Sequence, residues 1–150
     1  MKKFLKILLD IVIYAAIVAL IFWGLPVGLS KWLGTPYPMA SITSGSMWPI
    51  LKEGDLILIK GVKSKEELSV GDIVVWSNPK AMPDGRQGFT IHRIVKLSEK
   101  TLTTKGDANF KDDEAVRYED IIGKAYKVGD TYIRIPYLGF ISVISANIKN

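Results

Sequence analysis

Cysteine is absent from this chain of 150 residues, histidine occurs once, and only one stretch is long and apolar enough to cross a bilayer. Without cysteine there is no disulfide, no thiol nucleophile and no thiolate metal site. A folded domain must then rest on core burial alone, which the about 115 residues beyond the apolar stretch are enough to supply. One histidine leaves no zinc site of the usual kind, and neither a metal nor a cofactor is expected. One-sided charge is scarce as well. Lys and Arg number 20 against 15 Asp and Glu, for a net charge of +5. Lys2, Lys3 and Lys6 sit at the N-terminus, and the rest is a mixed surface that argues against a nucleic-acid partner. There is no internal repeat and no low-complexity tract.

What is present is a mixture: 48% of residues are hydrophobic while 23% are charged, as expected of an apolar segment joined to a soluble domain. Residues 7–30 carry a single charge, Asp10, and residues 11–29 carry none. About 20 apolar residues at a rise of ~1.5 Å cover the ~30 Å hydrocarbon core of a bilayer, so one transmembrane helix is expected. A cleaved secretory signal has an apolar run of about 7–15 residues followed by small side chains. Here the run is longer, and Leu25, Pro26, Val27, Leu29 and Trp32 stand where small residues would be. The helix is therefore read as an uncleaved anchor. The preceding lysines place the N-terminus in the cytosol and the remainder outside. Trp23 and Trp32 suit the outer interface, and Asp10 lies near the cytosolic end, where a carboxylate reaches headgroup water. Residues 1–33 form the anchor and residues 34–150 the extracytoplasmic domain.

Gly34, Pro36 and Pro38 end the helix and lead the chain away from the membrane. Short strands bounded by Gly, Pro, Asn or Asp follow at residues 55–60 (DLILIK), 73–76 (IVVW), 90–97 (TIHRIVKL), 101–105, 121–128 and 132–135. Pro83-Asp84-Gly85 marks a turn, because proline presets φ and glycine permits a positive one. Ser64 with Glu67 three residues on predicts one short helix over residues 64–68. The fold expected is mainly β: a small antiparallel β-barrel or β-sandwich preceded by one N-terminal transmembrane helix. Residues 133–148 are apolar but broken by Pro136 and Gly139. They read as a final strand with a tail that either packs on the barrel or touches the membrane surface.

Three segments carry groups able to do chemistry. In Ser44-Gly45-Ser46-Met47-Trp48-Pro49, Gly45 allows a backbone angle closed to other residues and Pro49 fixes another, so a sharply shaped turn is expected. A serine on such a turn can present its hydroxyl while nearby N–H groups face a developing oxyanion. By itself this is also what an ordinary capped β-turn looks like. His92 falls inside an apparent strand, where a lone histidine is usually packed and inert, yet it titrates near neutrality as a base for a hydroxyl must. Lys105-Gly106-Asp107-Ala108-Asn109, followed by Asp112-Asp113-Glu114, is an acidic loop without the spacing of a calcium loop. One of its carboxylates could orient a histidine, though a solvated turn has the same composition.

Taken together and in order, these segments resemble one family, the type I signal peptidases. Ser44-Gly45-Ser46-Met47-Trp48-Pro49 resembles their Ser-Gly-Ser-Met-x-Pro box, and Gly71-Asp72-Ile73-Val74 their Gly-Asp-[Ile/Val]-Val box. Ile91-His92-Arg93-Ile94-Val95 resembles the His-Arg-[Ile/Val] box of the archaeal and endoplasmic-reticulum branch. Thr104-Lys105-Gly106-Asp107-Ala108-Asn109, with Asp113 six positions after Asp107, resembles that branch's Lys-Gly-Asp-x-Asn box. Tyr137-Leu138-Gly139 matches a Leu-Gly element that often follows. Ala108 and Phe110 depart from the pattern, where other members often have Asn and a small residue. The resemblance covers roughly residues 1–140, and four ordered boxes behind an N-terminal membrane helix make it specific.

The resemblance implies a serine endopeptidase that removes signal peptides from secreted and membrane preproteins, cutting after small residues in Ala-x-Ala-like sequences. It implies Ser46 as nucleophile, His92 as general base, Asp113 as the orienting acid, Asp107 as a second aspartate holding its loop, and Ser44 with the Ser46 N–H as the oxyanion site. The choice between Asp107 and Asp113 stays open, and Lys96 or Lys105 is the alternative base, as lysine serves in bacterial members. Expected partners are signal peptides of exported preproteins, the lipid bilayer and the secretion translocon. The expected location is the cell membrane, or the endoplasmic-reticulum membrane in a eukaryote. Two rivals remain: a membrane-tethered β-barrel binding module without catalysis, and a related regulatory or self-cleaving membrane protease.

Overall fold

Residues 2–81 and 88–140 are described by the computed structural model of the chain. The Pro83-Asp84-Gly85 turn and the end of the apolar C-terminal stretch, from residue 141, lie outside them. The N-terminal run forms one apolar rod: helix α1 (Lys2–Ala19), a wide π turn (Leu20–Gly24) and helix α2 (Leu25–Leu33). Its span, Lys3–Leu33, has a mean hydropathy of 2.5, and none of its most apolar stretch is buried against the domain. The 31 residues reach about 46 Å at the helical rise, more than a hydrocarbon core requires.

The π turn has a local cause. Pro26 donates no N–H, and its ring would strike the carbonyl of Phe22 four residues back. Just ahead of it the ladder widens, and the Leu25 N–H reaches back five residues to the Leu20 carbonyl. The rod ends at Gly34, whose φ of 67° is left-handed. The N–H groups of Gly34 and Thr35 both donate to the Ser30 carbonyl, at 2.9 and 3.2 Å, a glycine-closed helix end.

The chain then meets its domain at once. Leu33 is buried, its carbonyl accepts the Gly61 N–H at 2.8 Å, and Trp32 packs edge-on against Tyr126 with ring centroids 5.7 Å apart. Beyond this junction lie, among the described residues, ten short strands: β1 (Met39–Ser41), β2 (Leu56–Lys60), β3 (Ile73–Ser77), β4 (Phe89–Leu97), β5 (Thr101–Lys105), β6 (Val116–Arg117), β7 (Ile121–Ala125), β8 (Lys127–Val128), β9 (Thr131–Tyr132) and β10 (Arg134–Ile135). The main sheet runs β1-β2-β7-β3-β4-β5-β6, with β10 also on β2, and every pairing is antiparallel. The expected class, mainly antiparallel β behind one apolar helix, is the one observed.

Burial explains the composition of the strands. In β2 Ile57 and Ile59 point inward, and in β5 Leu102 and Thr104 do, the alternation of a strand with one buried face. β3 is different. Ile73 belongs to a cluster with Ile42, Met47, Leu51, Ile57 and Ala125, whereas Val74 belongs to one with Leu68, Ile94, Leu102 and Val116. Adjacent residues on opposite faces are both covered, so an unbroken apolar run is required there.

Five elements differ from the sequence expectation. The run 121–128 breaks at Tyr126, because its N–H turns to the Leu58 carbonyl at 2.8 Å and β8 then folds back on β9. The run 132–135 likewise splits between β9 and β10. β1 and β6, of three and two residues, are too short to leave a periodic signal. The helix expected at 64–68 is one 3-10 turn, Lys65–Glu67. Ser64 does not cap it by its side chain. Glu67 instead accepts the Lys63 N–H at 3.2 Å, and Leu68, drawn into the core, is already extended.

Candidate active site

Ser46 lies in the turn that links β1 to β2. Met47 and Leu51 anchor that turn in the core, leaving Trp48 (59% exposed) and Ile50 (43%) facing outward. The Trp48 N–H donates to the Gly45 carbonyl at 3.1 Å, and the Leu51 N–H to the Met47 carbonyl at 3.0 Å. The turn does not depend on Gly45 in the way its sequence suggests. The left-handed glycines are Gly34, Gly54, Gly71 and Gly129, and a Cβ on Gly45 would meet nothing within 4 Å. These backbone bonds and the buried side chains, together with a cis Trp48–Pro49 peptide, shape the segment.

His92 reaches the same place from β4, where it is paired with Val74 and buried. Its Nε2 lies 3.1 Å from Ser46 Oγ and its Nδ1 2.6 Å from Asp113 Oδ2. A carboxylate only accepts, so Nδ1 carries the proton, and the Nε2 of the neutral ring is left to accept from the Ser46 hydroxyl. Asp113 is fixed in turn by Thr104. The Thr104 hydroxyl donates to Oδ2 at 2.6 Å, and its carbonyl accepts the Asp113 N–H at 2.8 Å. Ser44 Oγ sits 3.2 Å from Ser46 Oγ.

Asp107, six residues before Asp113, goes elsewhere. Arg93 grips it through Nε to Oδ1 at 2.8 Å and Nη2 to Oδ2 at 2.7 Å. The same guanidinium donates to the Gly71 carbonyl at 2.7 Å and lies 3.4 Å from the Tyr132 hydroxyl. The two hydrogen bonds that Arg93 donates to Asp107, outweighing partial burial, hold the Arg93 pKa above its usual value. Successive strand residues face opposite ways, so His92 serves one side of β4 and Arg93 the other. The Asp107 loop is also tied to the Ser46 turn, since the Ala108 N–H donates to the Ser46 carbonyl at 2.9 Å. Gly106 passes so close that a Cβ would stand 2.8 Å from that carbonyl.

Among the described residues the Ser46 hydroxyl meets Ser44 and the His92 ring, while neither Lys96 nor Lys105 reaches it. No three His, Asp or Glu side chains are grouped to hold a metal ion among the described residues. The Gly71-Asp72 box shapes the start of β3: Asp72 accepts from Lys124 Nζ at 2.9 Å and from the Ser69 N–H at 3.2 Å.

Ser46 and His92 open onto a cleft of about 530 Å³ running between β1 and the first half of β4. Ala40, Ile42, Val75 and Ile91 form its floor and sides, and Tyr37 meets Phe89 across it with ring centroids 5.0 Å apart. β1 stands at the end of the sheet order, where an extended peptide can be added as a strand. The assembly places a hydroxyl, a base aligned on it and a carboxylate aligned on the base beside an apolar groove, which is the equipment of nucleophilic acyl transfer. Thr104, Arg93 and Tyr132 escaped the sequence reading. For Thr104 a signal existed, a polar residue at the inward position of an alternating strand. Linking it to Asp113 requires the loop's path, which no local pattern encodes.

No family model matches the chain. Among curated proteins it is similar to the signal peptidase complex catalytic subunits of Neurospora crassa and Sclerotinia sclerotiorum. It is 33% identical to each over 123 residues, which cover 78% of this chain and 69% of either relative. The protein of the same name from Colletotrichum graminicola is 32% identical over the same length.

Proposed function

This chain belongs to the family of signal peptidase catalytic subunits, and on that premise we propose how its residues divide the work. As a member it is a serine hydrolase that cleaves signal peptides from preproteins. Ser46 is the nucleophile. His92 takes its proton as general base and later returns it to the leaving amine, and Asp113 keeps the imidazole in the required tautomer and stabilises its cation. The Ser46 N–H and the Ser44 hydroxyl face the oxyanion of the tetrahedral intermediate. Asp107 acts structurally, pinning its loop through Arg93. The observation that carries this reading is the unbroken contact chain Ser46 Oγ, His92 Nε2, His92 Nδ1, Asp113 Oδ2, at 3.1 and 2.6 Å.

The substrate lies extended along β1 and β4, its residues before the scissile bond in the apolar cleft, whose limited volume selects small side chains of the Ala-x-Ala kind. The rod from Lys3 to Leu33 spans the bilayer once, its lysines in the cytosol and the β domain on the far side. Fewer than about 20 residues at ~3.3 Å each join the helix end to Ser46, so the site stays near the membrane that also holds the substrate's apolar region. Exposed Trp48 and Ile50 rest in the lipid interface beside it. Partners are the signal peptide, the bilayer and the secretion translocon. No observation favours a non-catalytic binding module or a regulatory protease. The direct test is a preprotein cleavage assay with sequencing of the new N-terminus. Cleavage after a small residue that Ser46→Ala abolishes supports the assignment, and cleavage that persists in that variant refutes it.

A further inference from the structure

Asp113 is held from two sides by one residue that neither the resemblance nor the proposed roles assign. Thr104 has no exposed surface at all, on the inward face of β5 beside Leu102. A buried hydroxyl is costly unless it is bonded, and valine would fill the same space without that cost. Thr104 gives its single proton to Asp113 Oδ2 at 2.6 Å and accepts the Asp113 N–H at 2.8 Å. Oδ2 is the same atom that meets His92 Nδ1 at 2.6 Å. One carboxylate oxygen thus takes two short hydrogen bonds, from the base and from Thr104.

We propose that Thr104 is a positioning residue for the cleavage reaction: it clamps Asp113 so that Oδ2 faces His92, and its O–H sets how strongly that carboxylate grips the imidazole. The proposal rests on the roles given above to Ser46, His92 and Asp113. A carboxylate on an irregular loop has a broad terminal torsion, and the side-chain and main-chain bonds to Thr104 remove that freedom. The second donor also draws charge away from the His92 contact, so the carboxylate stabilises the imidazolium less than it would alone. The other charged groups around Asp113 are largely matched to one another. Arg93 pairs with Asp107, Lys80 with Glu114, and Arg117 with Glu119 and Asp120. Lys96 and Lys105 on the neighbouring strands, and Lys111 and Asp112 on the loop itself, are further charged residues of these elements among the described residues.

The test compares the full-length chain with T104V, T104S, D113N and T104V/D113N, using preprotein cleavage across pH and a thermal midpoint for each. T104V is expected to lose about 10- to 100-fold in kcat with KM nearly unchanged, as removal of a hydrogen bond to a charged group implies. The acid limb of kcat/KM is expected to move to higher pH, because a carboxylate relieved of one donor holds the imidazolium more tightly. T104S should restore both, and T104V should cost little further in the D113N background. Wild-type kcat and an unmoved limb in T104V, beside an inactive D113N, would overturn this proposal alone. An equal fold loss from T104V with and without D113N would also overturn it, since the hydroxyl would then act only on the fold. D113N at wild-type turnover would overturn the parent assignment as well. If T104V does not fold, T104A carries the same comparisons.

Discussion

Arg93 holds Asp107 through two parallel hydrogen bonds of 2.8 and 2.7 Å, while its neighbour His92 meets Asp113 at 2.6 Å on the opposite side of the same strand. Two carboxylates six residues apart are thereby committed to different tasks by a single pair of adjacent residues on β4. One bond network tensions the loop, and the other faces the Ser46 hydroxyl.

Substituting the two aspartates separates those tasks. Asp113→Asn should lower kcat by about 10⁴-fold, as loss of the required tautomer does in serine proteases generally, with little change in thermal midpoint. Asp107→Asn leaves the Arg93 guanidinium half-paired in a partly buried site. It should destabilise the fold by about 2 kcal/mol, with activity falling in step with the folded fraction. Calorimetry beside single-turnover kinetics distinguishes them. A collapse of kcat in folded Asp107→Asn would exchange the roles.

His92 predicts a shape as well as a loss. If its neutral ring takes the Ser46 proton, kcat/KM rises with pH as the ring loses its charge. His92→Ala should cost about 10⁴- to 10⁶-fold, and His92→Ala combined with Ser46→Ala no more than either alone, because the two act as a unit. A rise displaced well into the alkaline range, with substantial activity left in His92→Ala, would instead indicate a lysine base.

How much of this could be read from the chain follows from where each signal resides. β3 was legible because Ile73 and Val74 are buried on opposite faces, which forces a continuous apolar run that needs no knowledge of its neighbours. The apolar helix was legible because its length and composition stand out from every other stretch of the chain. The ordered boxes pointed to Ser46, His92 and the acidic loop, but Asp107 and Asp113 looked alike, since only the path from Gly106 to Ala115 decides which meets His92 and which Arg93. Thr104 needed the β4–β5 register, which shifts between Ile94 and Lys96 and cannot be counted off residue by residue. Gly45 misled for a plainer reason: glycine is permitted wherever a side chain is absent, and its presence in a turn does not oblige a positive φ.

The junction between rod and domain makes the last prediction. Gly61 lies against the end of α2 so closely that a Cβ would stand 2.0 Å from the Gly34 carbonyl oxygen and 3.3 Å from that of Leu33. Both obstacles are backbone, so neither can rotate aside, and Gly61→Ala must push the helix end off the sheet or strain the Leu33 carbonyl bond. With Trp32 packed on Tyr126, this contact fixes how the β domain sits against the end of the apolar rod. On the proposed reading, removing residues 1–31 takes away the membrane anchor, and with it the confinement of enzyme and inserted precursor to one thin layer. Deletion should therefore lower cleavage of membrane-inserted precursors by roughly 100-fold or more beyond its effect on short soluble peptides, the lower end of the gain that tethering gives. Gly61→Ala, which keeps the anchor but disturbs its seat, should show the same bias at smaller size. Parallel assays in liposomes and with a soluble peptide measure both. Equal losses on the two substrates would mean that the anchor serves folding rather than encounter.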